Sequence, residues 1–149
     1  MSFGERDAVT SLLTTLIVAY LFYHNLSADH AAGVFGGADG MQAWARAVLW
    51  LIGYSIAIAI AITIVFTILY VVVTGEKKPS DLRDERDRMI EHRGTRIGSA
   101  LTATGMVAAI LDLAIGASPL HAFTVLLIGC SVSEISKSIF KIFCYRRGY

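Results

Sequence analysis

The chain has 149 residues, of which 55% are hydrophobic and 17% charged, with a formal net charge of +1 and a mean hydropathy of +0.60. That balance argues against a water-soluble domain of this length and, with no basic excess, against a nucleic-acid-binding one. Two cysteines, Cys130 and Cys144, lack the C-x-x-C spacing of a thiolate metal or redox site, and disulfides are not expected.

Residues 8–24 form the first apolar run, uncharged until it ends at His24. Arg6 before it and small residues near Ala28 give it some likeness to a secretory signal. No A-x-A cleavage site stands directly after the run, so a retained helix is expected. The glycine-rich stretch GVFGGADG, residues 33–40, comes next. Such loops cradle phosphates where they join a strand to a helix and carry a lysine. Here the loop joins two apolar spans and has no such lysine, so it reads as a flexible connection or a shallow turn laying Val34 and Phe35 against the bilayer.

The second span, residues 46–73, contains no charged residue from Trp50 to Val73. About 20 helical residues cross the roughly 30 Å of hydrocarbon in a bilayer, and this run is long enough. Its IAIAIAITI core alternates like a strand, but a lone strand leaves its backbone unsatisfied in lipid, so a helix is expected.

Gly75 ends that helix, and Lys77, Lys78 and Pro79 form a linker into DLRDERDRMIEHRGTR, residues 81–96, with ten charged side chains in sixteen positions. Ser80 or Asp81 can cap a new helix with acidic first turns. Asp84 lies four residues before Arg88 and Glu85 three before it, the spacings at which helical side chains pair. The charged segment, 76–96, is expected to be a helical extension of the third span, 97–116, which is interrupted only by Asp112. Gly116, Ala117, Ser118 and Pro119 then make a tight turn into the fourth span, 120–143, which carries Glu134, Lys137 and Lys141. The third and fourth helices are therefore an antiparallel pair.

The result is one all-α transmembrane domain over residues 1–149, with four spans. Placing both termini in the cytoplasm puts twelve of the thirteen lysines and arginines inside, with only Arg46 outside, as the positive-inside rule requires. Aromatic residues agree, with Tyr20, Phe22, Tyr23, Trp44 and Trp50 near the outer boundary and Tyr70, Phe143 and Tyr145 near the inner one.

Asp84-Glu85-Arg86-Asp87, then Ile90-Glu91, Arg93 and Arg96-Ile97-Gly98, and at the end of the last span Glu134, Lys137 and Tyr145-Arg146-Arg147-Gly148, resemble a family of small bacterial inner-membrane proteins of unknown function. In that family a DERD-type motif precedes the third helix and a YRRG-type tail closes the fourth. The resemblance covers roughly residues 80–149. It implies a four-helix protein of the bacterial inner membrane and supplies no activity.

Three groups of residues could carry chemistry. Glu134 lies deep in the fourth span, where a lone charge is costly. Lys137 is one turn on, and Arg93 or Arg96 stands where the third helix enters the membrane, so a buried Glu134–Arg96 pair is expected; the competing role is a proton or cation relay. The second group is His24, His30, Asp112 and His121 at the outer edge, with Asp29 nearby in the first loop. These are side chains of the type that ligate zinc, though in no recognised metal spacing. The short turn brings Asp112 near His121. Haem ligation wants histidines at matching depth inside the bundle, and these sit at its edge. No nucleophile–base arrangement or H-E-x-x-H points to hydrolysis. The third is the glycine-rich loop, residues 33–40, read above as a connection. What remains is packing, with small-residue stripes at Gly53, Ala57 and Ala61 on the second helix and at Gly94 with Gly98 on the third, which let helices approach closely.

The sequence thus reads as a non-catalytic membrane protein without a cofactor. It holds or regulates a protein partner through a cytoplasmic surface made of Asp84, Glu85, Arg86, Asp87, Glu91, Arg93, Arg96, Tyr145, Arg146 and Arg147, with Glu134 and Lys137 fixing the helices. Self-association is expected from its small size. The rival readings are a transporter or ion-conducting oligomer using Glu134, and an outer-face metal or cofactor binder.

Overall fold

A computed structural model describes residues 3–75 and 85–147. The described residues form four helices, α1 (Phe3–Ala31), α2 (Gly40–Thr74), α3 (Glu85–Ala114) and α4 (Pro119–Arg147). All four are long and apolar enough to cross a membrane. They run up and down in turn, so that the start of α1, the end of α2, the start of α3 and the end of α4 share one end, here the terminal end. The turns between α1 and α2 and between α3 and α4 share the other, the loop end.

Each helix is longer than its apolar run. The expected spans 8–24, 46–73, 97–116 and 120–143 mark where the chain is apolar, whereas a helix continues past the hydrocarbon wherever water or side chains satisfy its end groups. The 35 residues of α2 amount to about 50 Å of helix at 1.5 Å per residue. From Glu85 onward the charged segment is continuous with the third helix. The caps expected at Ser80 or Asp81, and Asp84 itself, lie outside the described residues.

Local sequence explains the stops. Gly75 takes the left-handed conformation, φ 69°, and donates its N–H to Val71. At the α3–α4 turn Gly116, φ 89°, donates its N–H to the Leu113 carbonyl while Ala117 donates to that of Asp112, the pair of hydrogen bonds that closes a helix C-terminus around a glycine. Ser118 then caps α4 by accepting the N–H of His121 at 3.3 Å, and Pro119 occupies the first helical position, where its missing donor costs nothing. Turns also build the glycine-rich loop, with Gly33 at φ 73° and hydrogen bonds from Gly36 to Gly33 and from Gly40 to Gly37.

Packing is uneven. The α3–α4 hairpin has the most extensive contact, α1 lies against α4, and α2 packs on α1 while barely touching α4. Close approach of the hairpin depends on Gly105 and Gly129: a Cβ on either would stand 2.8–2.9 Å from the other's Cα. Gly94 and Gly98 also face α4, where Lys141 and Lys137 lay their aliphatic stems across them. The other expected stripe does not face a helix of this chain, since Gly53, Ala57 and Ala61 are all exposed. Few large side chains are buried. Ile52, Ile56, Ile60, Ile64 and Ile68 form one outward row on α2, each 50–57% exposed. A row of that kind is tolerable only where lipid replaces water, and a helix inside a bilayer has no need to turn its isoleucines inward.

Candidate functional site

Polar side chains converge at the terminal end, where three helix ends meet. A Cβ on Gly4 would overlap the Tyr145 hydroxyl, so the tyrosine near the end of α4 lies directly over the start of α1. The carboxylates of Asp87, Glu91 and Asp7 stand near that hydroxyl and interact with it, Asp87 most strongly. One turn deeper, Lys141 Nζ donates to Glu91 Oε2 at 2.6 Å, with the lysine side chain only 6% exposed. Gly94 makes room for it. Arg146 Nε lies 4.0 Å from Glu5 Oε1, joining α4 to α1, and Arg6 covers the ring of Tyr70 at 5.1 Å, joining α1 to α2. Between α1, α3 and α4 these residues leave an open cleft of about 260 Å³, lined by Asp7, Asp87, Arg88, Glu91, His92 and Tyr145 among others.

Helix periodicity sorts the charges that the sequence nearly balances. Asp87 and Glu91, four residues apart, share one face and turn towards α4. Arg88, His92, Arg93 and Arg96 are exposed, and together with Met89 and Glu85 they border a second, shallower depression on the outside of α3. Arg86 is also exposed. Arg147 folds over the ring of Phe143 at 4.4 Å. On α3, Asp87 and Glu91 therefore turn towards α4, while Arg93 and Arg96 lie on the open side of the helix.

No family model, curated protein or solved structure matches this chain.

Glu134 departs from expectation. Its partner is Lys137, with Nζ 3.1 and 3.0 Å from the two carboxylate oxygens, and its side chain is 48% exposed. The expected Glu134–Arg96 pair is not formed. Glu134 follows Ser133, which faces α3 and donates to the Gly98 carbonyl at 2.7 Å while accepting from Thr102 at 2.9 Å. One residue further along a helix is about 100° around it, so Glu134 is carried off the interface. Among the described residues the ion pair joining the two helices is Glu91–Lys141, with its lysine end buried. Its sequence signal was present: Gly94 marks a close approach, and Lys141 lies one turn beyond Lys137.

At the loop end, His121 Nδ1 and Asp112 Oδ2 are 2.5 Å apart, as the turn length requires. The other two histidines of the outer-edge group remain on α1, His24 beside the Tyr20 ring and His30 beside Phe35. Among the described residues no group of three His, Cys, Asp or Glu side chains is placed to hold a metal ion. Trp44 packs against Phe123 with ring centroids 5.7 Å apart and joins α2 to α4.

Proposed function

We propose that this chain is a non-catalytic multi-pass protein of a bacterial inner membrane that holds or regulates a protein partner at its cytoplasmic face, the face reached by both termini. The reading rests on the sorting of charge on α3. Asp87 and Glu91 are engaged with Tyr145 and Lys141, while Arg88, His92, Arg93 and Arg96 stand exposed on a helix anchored to α4. A basic face fixed to a rigid helix pair at the mouth of a bundle suits an acidic surface on a cytoplasmic protein. The positive-inside distribution supports the orientation. The DERD and YRRG resemblance supports the cellular setting. The relay reading of Glu134 has less support, because both carboxylate oxygens are held by Lys137 one turn along the same helix.

A photo-crosslinker at Met89, on the same exposed face, tests the proposal in living cells. One protein should be captured reproducibly, and Arg88→Gln with Arg93→Gln should abolish the adduct while insertion is retained. Absence of an adduct, or an adduct indifferent to those substitutions, would overturn it.

A further inference from the structure

The middle of the α3–α4 pair carries polar groups where lipid tails give them no partner. Glu134 stands about 22 Å along α4 from Pro119 and about 20 Å from Arg147, near the midpoint of the helix and within its apolar run of residues 120–143. Lys137 neutralises it, yet a carboxylate offers about four acceptor sites and an ammonium three donors, and the pair saturates neither. Thr95, Ser99, Thr102 and Ala103 of α3 are exposed beside it. Together these residues border an open groove of about 360 Å³ whose lining, among the described residues, comes from α3 and α4 alone.

We propose that this groove is a self-association face, closed by the same groove of a second copy of the chain. Two copies inserted with one orientation meet about a two-fold axis along the membrane normal, so residues of equal depth face each other. Lys137 lies one turn from Glu134 on the same helix, but its Nζ is 3.0–3.1 Å from the two carboxylate oxygens, so both charges of a copy stand at nearly one depth. In such a dimer each copy's lysine comes beside the other copy's glutamate, and two in-chain pairs become one ring of four alternating charges. An occupant of this groove must offer both a cation and an anion at the depth of Glu134, and a second copy carries both there. Ser99 and Ala103, four residues apart and small, let the two α3 helices approach. The proposal rests on the membrane-spanning reading and is independent of the cytoplasmic docking face.

Cysteine crosslinking in native membranes tests it, in a background with Cys130 and Cys144 replaced by serine. Cysteines at Ser99 or Ala103 should form covalent dimers with a membrane-permeant oxidant, and one at Ala57, on the exposed face of α2, should not. Glu134→Lys and Lys137→Glu should each lower the yield at least fivefold, and the two together should restore it by exchanging the charges. Glu134→Gln and Lys137→Met, which remove charge at similar volume, repeat the test if the reversals disturb insertion. Crosslinking at Ala57 but not on α3, monomers at every position, or a yield indifferent to all the charge variants would overturn the proposal. The Met89 adduct reports separately on cytoplasmic docking and should survive loss of the dimer.

Discussion

Lys141 Nζ lies 2.6 Å from Glu91 Oε2, and the two ends of this ion pair differ: the lysine side chain is 6% exposed, the glutamate 42%. Loss of either partner is therefore not equivalent. Glu91→Ala strands an ammonium inside the α3–α4 contact and should cost about 3 kcal/mol. Lys141→Met leaves a carboxylate that can reach solvent and keeps the packing over Gly94, so it should cost about 1 kcal/mol or less. The double variant should recover part of the Glu91→Ala loss. Reversible unfolding in detergent measures all three, and equal losses for the two single variants would contradict the asymmetry.

Gly105 and Gly129 set the hairpin spacing. A methyl group on either meets backbone at 2.8–2.9 Å, which cannot rotate away. Gly105→Ala and Gly129→Ala should each destabilise by about 1–3 kcal/mol, as overpacking does. Gly53 meets nothing within 4 Å. Gly53→Ala should be neutral or stabilise by up to about 1 kcal/mol through helix propensity. The same unfolding assay separates the three.

The sequence already contained the four helices, because apolar runs of this length have only one way to satisfy their backbone in lipid. It also contained the turn at Gly116 and Pro119 and the meeting of Asp112 with His121, both of which follow from a connection too short for any alternative. What it left open was facing. Glu134 and Ser133 are neighbours, and one residue of rotation decides which of them enters the interface. In a membrane helix hydrophobicity does not mark the inward side, so Gly53, Ala57 and Ala61 looked the same as Gly94 and Gly98 until the helices were placed. Lys141 read as a topology signal, although its depth and the glycine opposite it give it a structural role.

Asp112 and His121 form a two-residue pair at the loop end, with the histidine side chain 63% exposed. Two ligands fall short of the three or four that a zinc site uses. Saturating zinc should therefore leave the melting temperature within about 1 °C of its metal-free value, whereas a site binding at a hundred times its Kd adds about 2.7 kcal/mol. His121→Ala should change stability by less than about 1 kcal/mol, as removal of an exposed pair does. A zinc-dependent rise in melting temperature that is lost with His24→Ala or His30→Ala would revive the outer-face metal reading.

Orientation can be tested with two cysteines. Asp39 lies in the turn before α2 and Arg147 in the last turn of α4, at opposite ends of an up-and-down bundle. The positive-inside rule, applied to the sequence, expects twelve of the thirteen lysines and arginines on the side of the termini. In the background lacking Cys130 and Cys144, a membrane-impermeant maleimide added to intact spheroplasts should modify a cysteine at Asp39 and spare one at Arg147. Opening the membrane should expose both. Modification of Arg147→Cys alone in intact spheroplasts would invert the bundle, put Arg88, Arg93 and Arg96 outside, and remove the physical basis for a cytoplasmic partner. Dual labelling in intact spheroplasts would mean insertion in both orientations, which charges so unevenly distributed should prevent.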